Sequence, residues 1–142
     1  MTPTLSPDER SSGLEAWKYA WRHGIALSLS TPGLRALRAA LATGDPRLVQ
    51  GYTSLPWAAD PNTAPAAACA VGLAGWLGDG LDTIAAVEKA FVRVCLDADA
   101  RLDEPAGCRY FLTWHDETPL ARVRQDLLPE IDRELARRAA AD

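Results

Sequence analysis

Helix-start punctuation recurs along this chain and limits its fold more than any other feature. Ser6-Pro7-Asp8-Glu9, Thr31-Pro32, Asp45-Pro46, Glu104-Pro105 and Thr118-Pro119 each set a proline behind a polar residue. Proline loses nothing in the first helical turn, where its missing N–H is not needed and its φ is already correct. Ser6 with Glu9 completes a capping box. Between these starts, apolar residues recur at steps of three and four, and no segment sustains period-two alternation with β-branched residues. The expected fold is all-α: an irregular bundle of about five helices plus one or two short helices, with one long Pro/Asp/Trp loop.

In chain order, Leu14, Trp17, Trp21 and Ile25 form one stripe on a first helix reaching about Leu29, with Gly13 and Gly24 as points of close packing or bending. Leu34, Leu37 and Leu41 face inward on a second helix that Gly44 ends. Asp45-Pro46 is expected to start a short helical piece closed by Gly51. Residues 52–65 then read as the long loop, with Trp57 ordering it from within. Residues 66–77 (AAACAVGLAGWL) are nearly all apolar, as in the middle of a bundle, and Ala68, Gly72 and Gly75 let neighbours approach. Asp82 is the expected cap of a helix carrying Ile84, Val87, Phe91, Val94, Cys95, Ala98 and Leu102. A short helix with Tyr110, Phe111 and Trp114 follows, then a last one with Leu120, Val123, Leu127, Ile131 and Leu135.

Length and composition narrow the function. At 142 residues the chain is expected to be a single helical domain, 1–142, with 1–5 and 139–142 frayed. Hydrophobic residues at 48% and charged residues at 24% suit a packed core and not a disordered chain. A net charge of −4 without a basic block argues against nucleic acid. No apolar run approaches the ~20 residues of a membrane span, and the polar N-terminus is unlike a signal peptide. Three cysteines without close spacing suit reduced thiols, so a cytoplasmic setting is expected.

Chemistry-bearing residues concentrate between Cys95 and Pro119. Asp97, Asp99, Arg101 and Asp103 look like a calcium loop, but Arg101 takes a ligand position, Leu102 the place of the turn glycine and Cys108 that of the bidentate glutamate. A helix explains the charges better, with Arg93, Asp97 and Arg101 four apart and each pair worth ~0.3–0.5 kcal/mol. Cys69, Cys95, Cys108 and His115 are too widely spaced for a zinc site, so no metal and no cofactor is expected. Cys108, near a helix start and beside Arg109, is the candidate nucleophile, with His115 as its base. Seven residues of continuous helix separate them by ~10 Å, which favours a core thiol instead. His115, Asp116 and Glu117 are the candidate acid–base or metal-ligating triplet; the structural alternative has the carboxylates at the positive end of the last helix and Trp114 in the core. Gly-rich phosphate loops, nucleophile elbows and H-E-x-x-H or E-x-x-H signatures are missing.

Cys69-Ala-Val-Gly72 in a small-residue helix, followed by Trp114-His115-Asp116-x-x-Pro119, resembles a group of small uncharacterised bacterial helical proteins. These carry C-x-x-G and, downstream, W-N-D before the last helix. The likeness covers the C-terminal half, with His115 in place of the Asn and one extra residue before the proline. It implies no activity. It does imply that Cys69, Gly72, Trp114 and Asp116 hold one another in place.

The chain therefore reads as a small binding or regulatory protein rather than an enzyme, meeting a protein partner or a second copy of itself through aromatic and arginine anchors: Trp57, Arg35 with Arg38, or Arg122 with Arg124. The rival expectation is a small-molecule pocket or enzyme in which loop 52–65 closes over 108–117, with Trp57, Tyr110 and Trp114 against the ligand.

Overall fold

Six helices account for most of the chain in a computed structural model that describes residues 7–10, 14–56 and 60–141. Ser6, Gly13 and Trp57 lie outside the described residues. After a single helical turn at Pro7–Arg10, α1 spans 16–28, α2 Thr31–Thr43, α3 70–78, α4 Ile84–Leu102, α5 Arg109–Glu117 and α6 Leu120–Ala141. The all-α expectation is met. The one addition is a two-stranded antiparallel ribbon, β1 Ser54–Leu55 against β2 Ala67–Ala68. Among the described residues no helix is long and apolar enough to cross a membrane.

Local chemistry sets the boundaries. The Ser30 hydroxyl accepts the Gly33 N–H at 2.9 Å and Pro32 sits in the first turn, so α2 starts where the punctuation indicates; Gly44 ends it at φ +68°. Thr83, not Asp82, caps α4 by accepting the Ala86 N–H at 3.2 Å. Two helices contain a π-turn, Trp21–Ile25 in α1 and Ala74–Gly78 in α3. In the first, Gly24 lies under α4: a Cβ there would meet Leu102 Cδ1 at 2.9 Å.

Two stretches depart from the helical expectation, and backbone pairing explains both. Asp45 accepts hydrogen bonds from the Arg47 N–H and guanidinium, which fixes a turn and holds the carboxyl at about 2. Leu48 then forms an isolated parallel bridge with Ala68, so residues 45–51 are a turn followed by a bridged, non-helical stretch instead of a short helix. Residues 66–68 are extended: the Ala66 N–H reaches Leu55 O, and Ala68 N–H reaches Arg47 O. Helix α3 starts only at Ala70.

The core joins both ends of the chain. Trp21 and Ile25 of α1, Leu34 and Leu37 of α2, Leu73 of α3, Val87 and Leu102 of α4, Phe111 of α5 and Val123, Leu127 and Ile131 of α6 are fully buried. Helices α2 and α3 cross so closely that a Cβ on Gly78 would lie 2.3 Å from Gly33 Cα. Polar fasteners surround this core. Arg22 makes a bidentate pair with Glu130 at 2.6 and 2.8 Å. Arg124 donates to the last carbonyls of α2, Leu41 O at 2.6 Å and Ala42 O at 3.0 Å. Arg138 reaches from α6 to Ala26 O and Leu29 O, both at 2.8 Å, and to Thr31 Oγ1 at 3.1 Å. The tail is thus helical through Ala141.

Candidate functional site

Helix α5 has two faces, and they divide the candidate residues between them. Residues three and four apart share a helix face. Cys108, Phe111 and His115 point inward and are buried. Tyr110, Thr113, Trp114 and Glu117 point the other way and line an open groove of about 670 Å³ with Glu15, Ala16, Trp17 and Arg109.

The inward face is buried and tied to neighbouring segments by hydrogen bonds. His115 is 2% exposed, its Nδ1 lies 3.3 Å from Asp116 Oδ1, and its Nε2 has no partner among the described residues. Burial pulls its pKa down, against the opposing pull of the Asp116 carboxylate. Asp116 is itself engaged by the Gly51 N–H at 2.9 Å, while Gln50 donates to the carbonyls of His115 and Thr118. From the opposite side the Cys69 N–H reaches Tyr52 O at 3.0 Å, and Gly72 packs directly on Thr53 O. Segment 50–53 is clamped between the Cys69–Gly72 turn and the end of α5. Cys69, Gly72 and Asp116 hold one another in place through that segment, whereas Trp114 faces away. Burial pushes the Cys69 thiol up to about 11.

The His115 environment has a measurable consequence. In the unfolded chain its pKa is near 6.5, and in the fold it lies lower. The unfolded state therefore takes up the proton first. The stability that neutral His115 contributes is complete above pH 6.5 and is lost as pH falls through the folded value. Denaturation midpoints of the wild type should drop between about pH 7 and about pH 5.5, and those of His115→Gln should drop less. Parallel pH profiles for the two proteins would remove His115 as the cause.

Cys108 does not face His115. It stands at the start of α5 against α4, where the Asp99 carboxylate accepts the N–H groups of Ala106 at 3.1 Å and Cys108 at 2.8 Å. Asp99 is thereby spent on organising a turn, and Asp97 pairs with Arg101 at 2.9 Å on the exposed side of α4. Among the described residues no three His, Cys, Asp or Glu side chains converge in metal-binding geometry.

The groove face is aromatic. Trp17 and Trp114 stack with ring centroids 3.6 Å apart and planes 4° from parallel, and the Trp17 indole N–H donates to Glu15 at 2.8 Å. Arg109 lies over the Tyr110 ring at 4.6 Å, bonds its hydroxyl at 3.2 Å and turns its other donors to Ala106 O. Its charge is folded back on its own helix start. Glu117 is exposed in the last turn of α5, where the helix dipole is already negative. The groove thus combines flat aromatic walls with a net acidic end.

Of the other anchors considered, Arg38 pairs with Asp132 and Arg122 with Asp126 at 2.9 Å, and Arg124 caps α2. Arg35 is exposed. The described part of loop 52–65 packs on β2 and the start of α4, with Ile84 N–H to Thr63 O at 2.9 Å and Ala85 N–H to Pro61 O at 3.0 Å; none of it lines the α5 groove. Trp17 and Glu15 were not among the site residues expected from sequence. The apolar stripe that holds Trp17 is visible in the sequence, but its pairing with a helix nearly a hundred residues away has no local signal. Comparison with protein-family models, curated proteins and solved structures yields no match.

Proposed function

We propose that this protein is a binding module that receives a basic segment of a protein partner in the groove between Trp17 and α5. The observation that carries this reading is the split of α5. Cys108 and His115 are buried on one face, away from solvent and from each other, while the open face presents Trp114, Tyr110 and Glu117. Tryptophan, tyrosine and arginine are the residue types on which interfaces concentrate binding energy. A guanidinium or ammonium group is drawn to the aromatic ring faces of the groove through cation–π attraction, to Glu117 at the negative end of α5, and to the exposed carboxylate of Glu15. Both favour a cationic guest over an anionic one, as does the net charge of −4.

The test is a titration of tryptophan fluorescence with a short capped arginine peptide and, separately, a glutamate peptide of equal length. Saturable binding of the arginine peptide alone is expected. Glu117→Lys should weaken it about tenfold, equivalent to roughly 1.4 kcal/mol, without changing the denaturation midpoint. Equal response to both peptides, or an unchanged affinity in the variant, would end the proposal.

A further inference from the structure

A second hollow, which shares no residue with the α5 groove, opens between the end of α2 and the start of α6 and has a volume of about 620 Å³. Small-molecule sites of this size pair apolar walls with a few placed polar groups. Leu41 and Leu48, both buried, and the half-buried Val49 supply apolar wall here, and Leu120 stands 42% exposed beside them.

Three polar side chains border the hollow, and two of them are spent. The Asp45 carboxylate is paired with Arg47, whose Nη2 lies 2.6 Å away. Gln50 gives its amide hydrogens to the carbonyls of His115 and Thr118. Arg124 is different. Its Nε donates to Leu41 O at 2.6 Å and its Nη2 to Ala42 O at 3.0 Å, and among the described residues no carboxylate pairs with it. A guanidinium has five N–H donors, so Arg124 keeps unspent donors and a positive charge without a counter-ion. The two carbonyls also hold it in one orientation, so little ordering remains for a ligand to impose. Leu120 and Ala121 set the positive end of the α6 dipole at the same hollow. The hollow is positive where the α5 groove is acidic.

We propose that this hollow binds a free aliphatic monocarboxylate of roughly eight carbons, its carboxylate on Arg124 and its chain along Leu41, Leu48 and Leu120. Charge complementarity selects the head group. A carboxylate accepts parallel hydrogen bonds from a guanidinium, whereas an ammonium is repelled by it. Burial selects the chain, because each methylene that leaves water adds to the affinity and the head group alone gains none of this.

The isotope-labelled full chain is titrated near neutral pH with sodium octanoate and, in parallel, with octylammonium chloride and sodium acetate, and followed by amide proton–nitrogen correlation spectra. Octanoate alone should give saturable shifts, centred on the amides of Gly44, Val49 and Ala121. Ala121→Phe, which fills the hollow and leaves Arg124 in place, should weaken octanoate about tenfold or more, and Arg124→Gln should do the same. No saturable shift with octanoate, an equal response to octylammonium or acetate, shifts centred on the α5 groove, or an unchanged affinity in Ala121→Phe would overturn the proposal. Ala121 is exposed, so that variant decides the matter even if Arg124→Gln, which uncaps α2, folds poorly. Failure here would leave the arginine-peptide reading standing, since the two sites have no residue in common.

Discussion

Gly72→Ala should destabilise the domain by about 3 kcal/mol or more, the upper end of what overpacking costs. A Cβ on Gly72 would stand 2.2 Å from the Thr53 carbonyl oxygen and 3.3 Å from its carbon. Neither side can give way easily. Gly72 belongs to a buried helical turn, and Thr53 follows a segment fixed by the Cys69 N–H on Tyr52 O and by Asp116 on the Gly51 N–H. A side-chain tip would swing aside; a backbone carbonyl drags the whole segment with it. Gly75, three residues on, supplies the control, because its added Cβ would meet only Leu81 Cδ1 at 3.3 Å and Ala90 Cβ at 3.7 Å. There the ~1 kcal/mol helix preference of alanine over glycine offsets the crowding, and Gly75→Ala should stay within about 1 kcal/mol of wild type. Urea denaturation of the two variants checks the contrast. Equal midpoints would mean that segment 50–53 yields, and the clamp would lose its claim to rigidity.

The other large effect belongs to a tryptophan, though not the one that the sequence singles out. Placed ahead of the last helix, Trp114 reads as a core anchor. In the fold it is only partly buried, stacked on Trp17 at the rim of the groove, while Trp21 is 1% exposed with its ring 5.0 Å from Phe111. Trp21→Ala should therefore cost about 3–5 kcal/mol and leave the domain largely unfolded in mild urea. Trp114→Ala should cost less, since it forfeits one stacked face, with about 0.5–1.5 kcal/mol from the aromatic pair beyond its area. The order of the two midpoints is the measurement. If Trp114→Ala proved the more damaging, the stack and not the central cluster would be the keystone of α5.

Features written in one turn of chain were legible, and features made by two distant segments were not. Ser30, Pro32 and Gly44 bracket α2 by local hydrogen bonding and backbone geometry alone, so sequence locates that helix. Residues 45–51 and 66–68 carry helix-compatible residues too, but their N–H and C=O groups are taken by one another across a gap of some twenty positions. Propensity cannot see that competition. The candidate site shows the same limit. The spacing of Cys108 and His115 already argued against a dyad, because seven helical residues set them two turns apart. What the spacing could not show is which partners these residues meet: Asp99 for the Cys108 N–H, segment 50–53 for Asp116, Trp17 for Trp114. Each of those pairings depends on how helices cross, and helix crossing is decided by packing of whole faces.

The arginine contacts between α6 and the first two helices bear on the order in which the chain can acquire its shape. Arg22 waits for Glu130, the last carbonyls of α2 wait for Arg124, and the junction of α1 and α2 waits for Arg138. Val123, Leu127 and Ile131 fill the central cluster from that same helix. During synthesis these residues leave the ribosome after every segment that they fasten. The first two helices therefore cannot complete their native polar contacts or their share of the central cluster until α6 has been made.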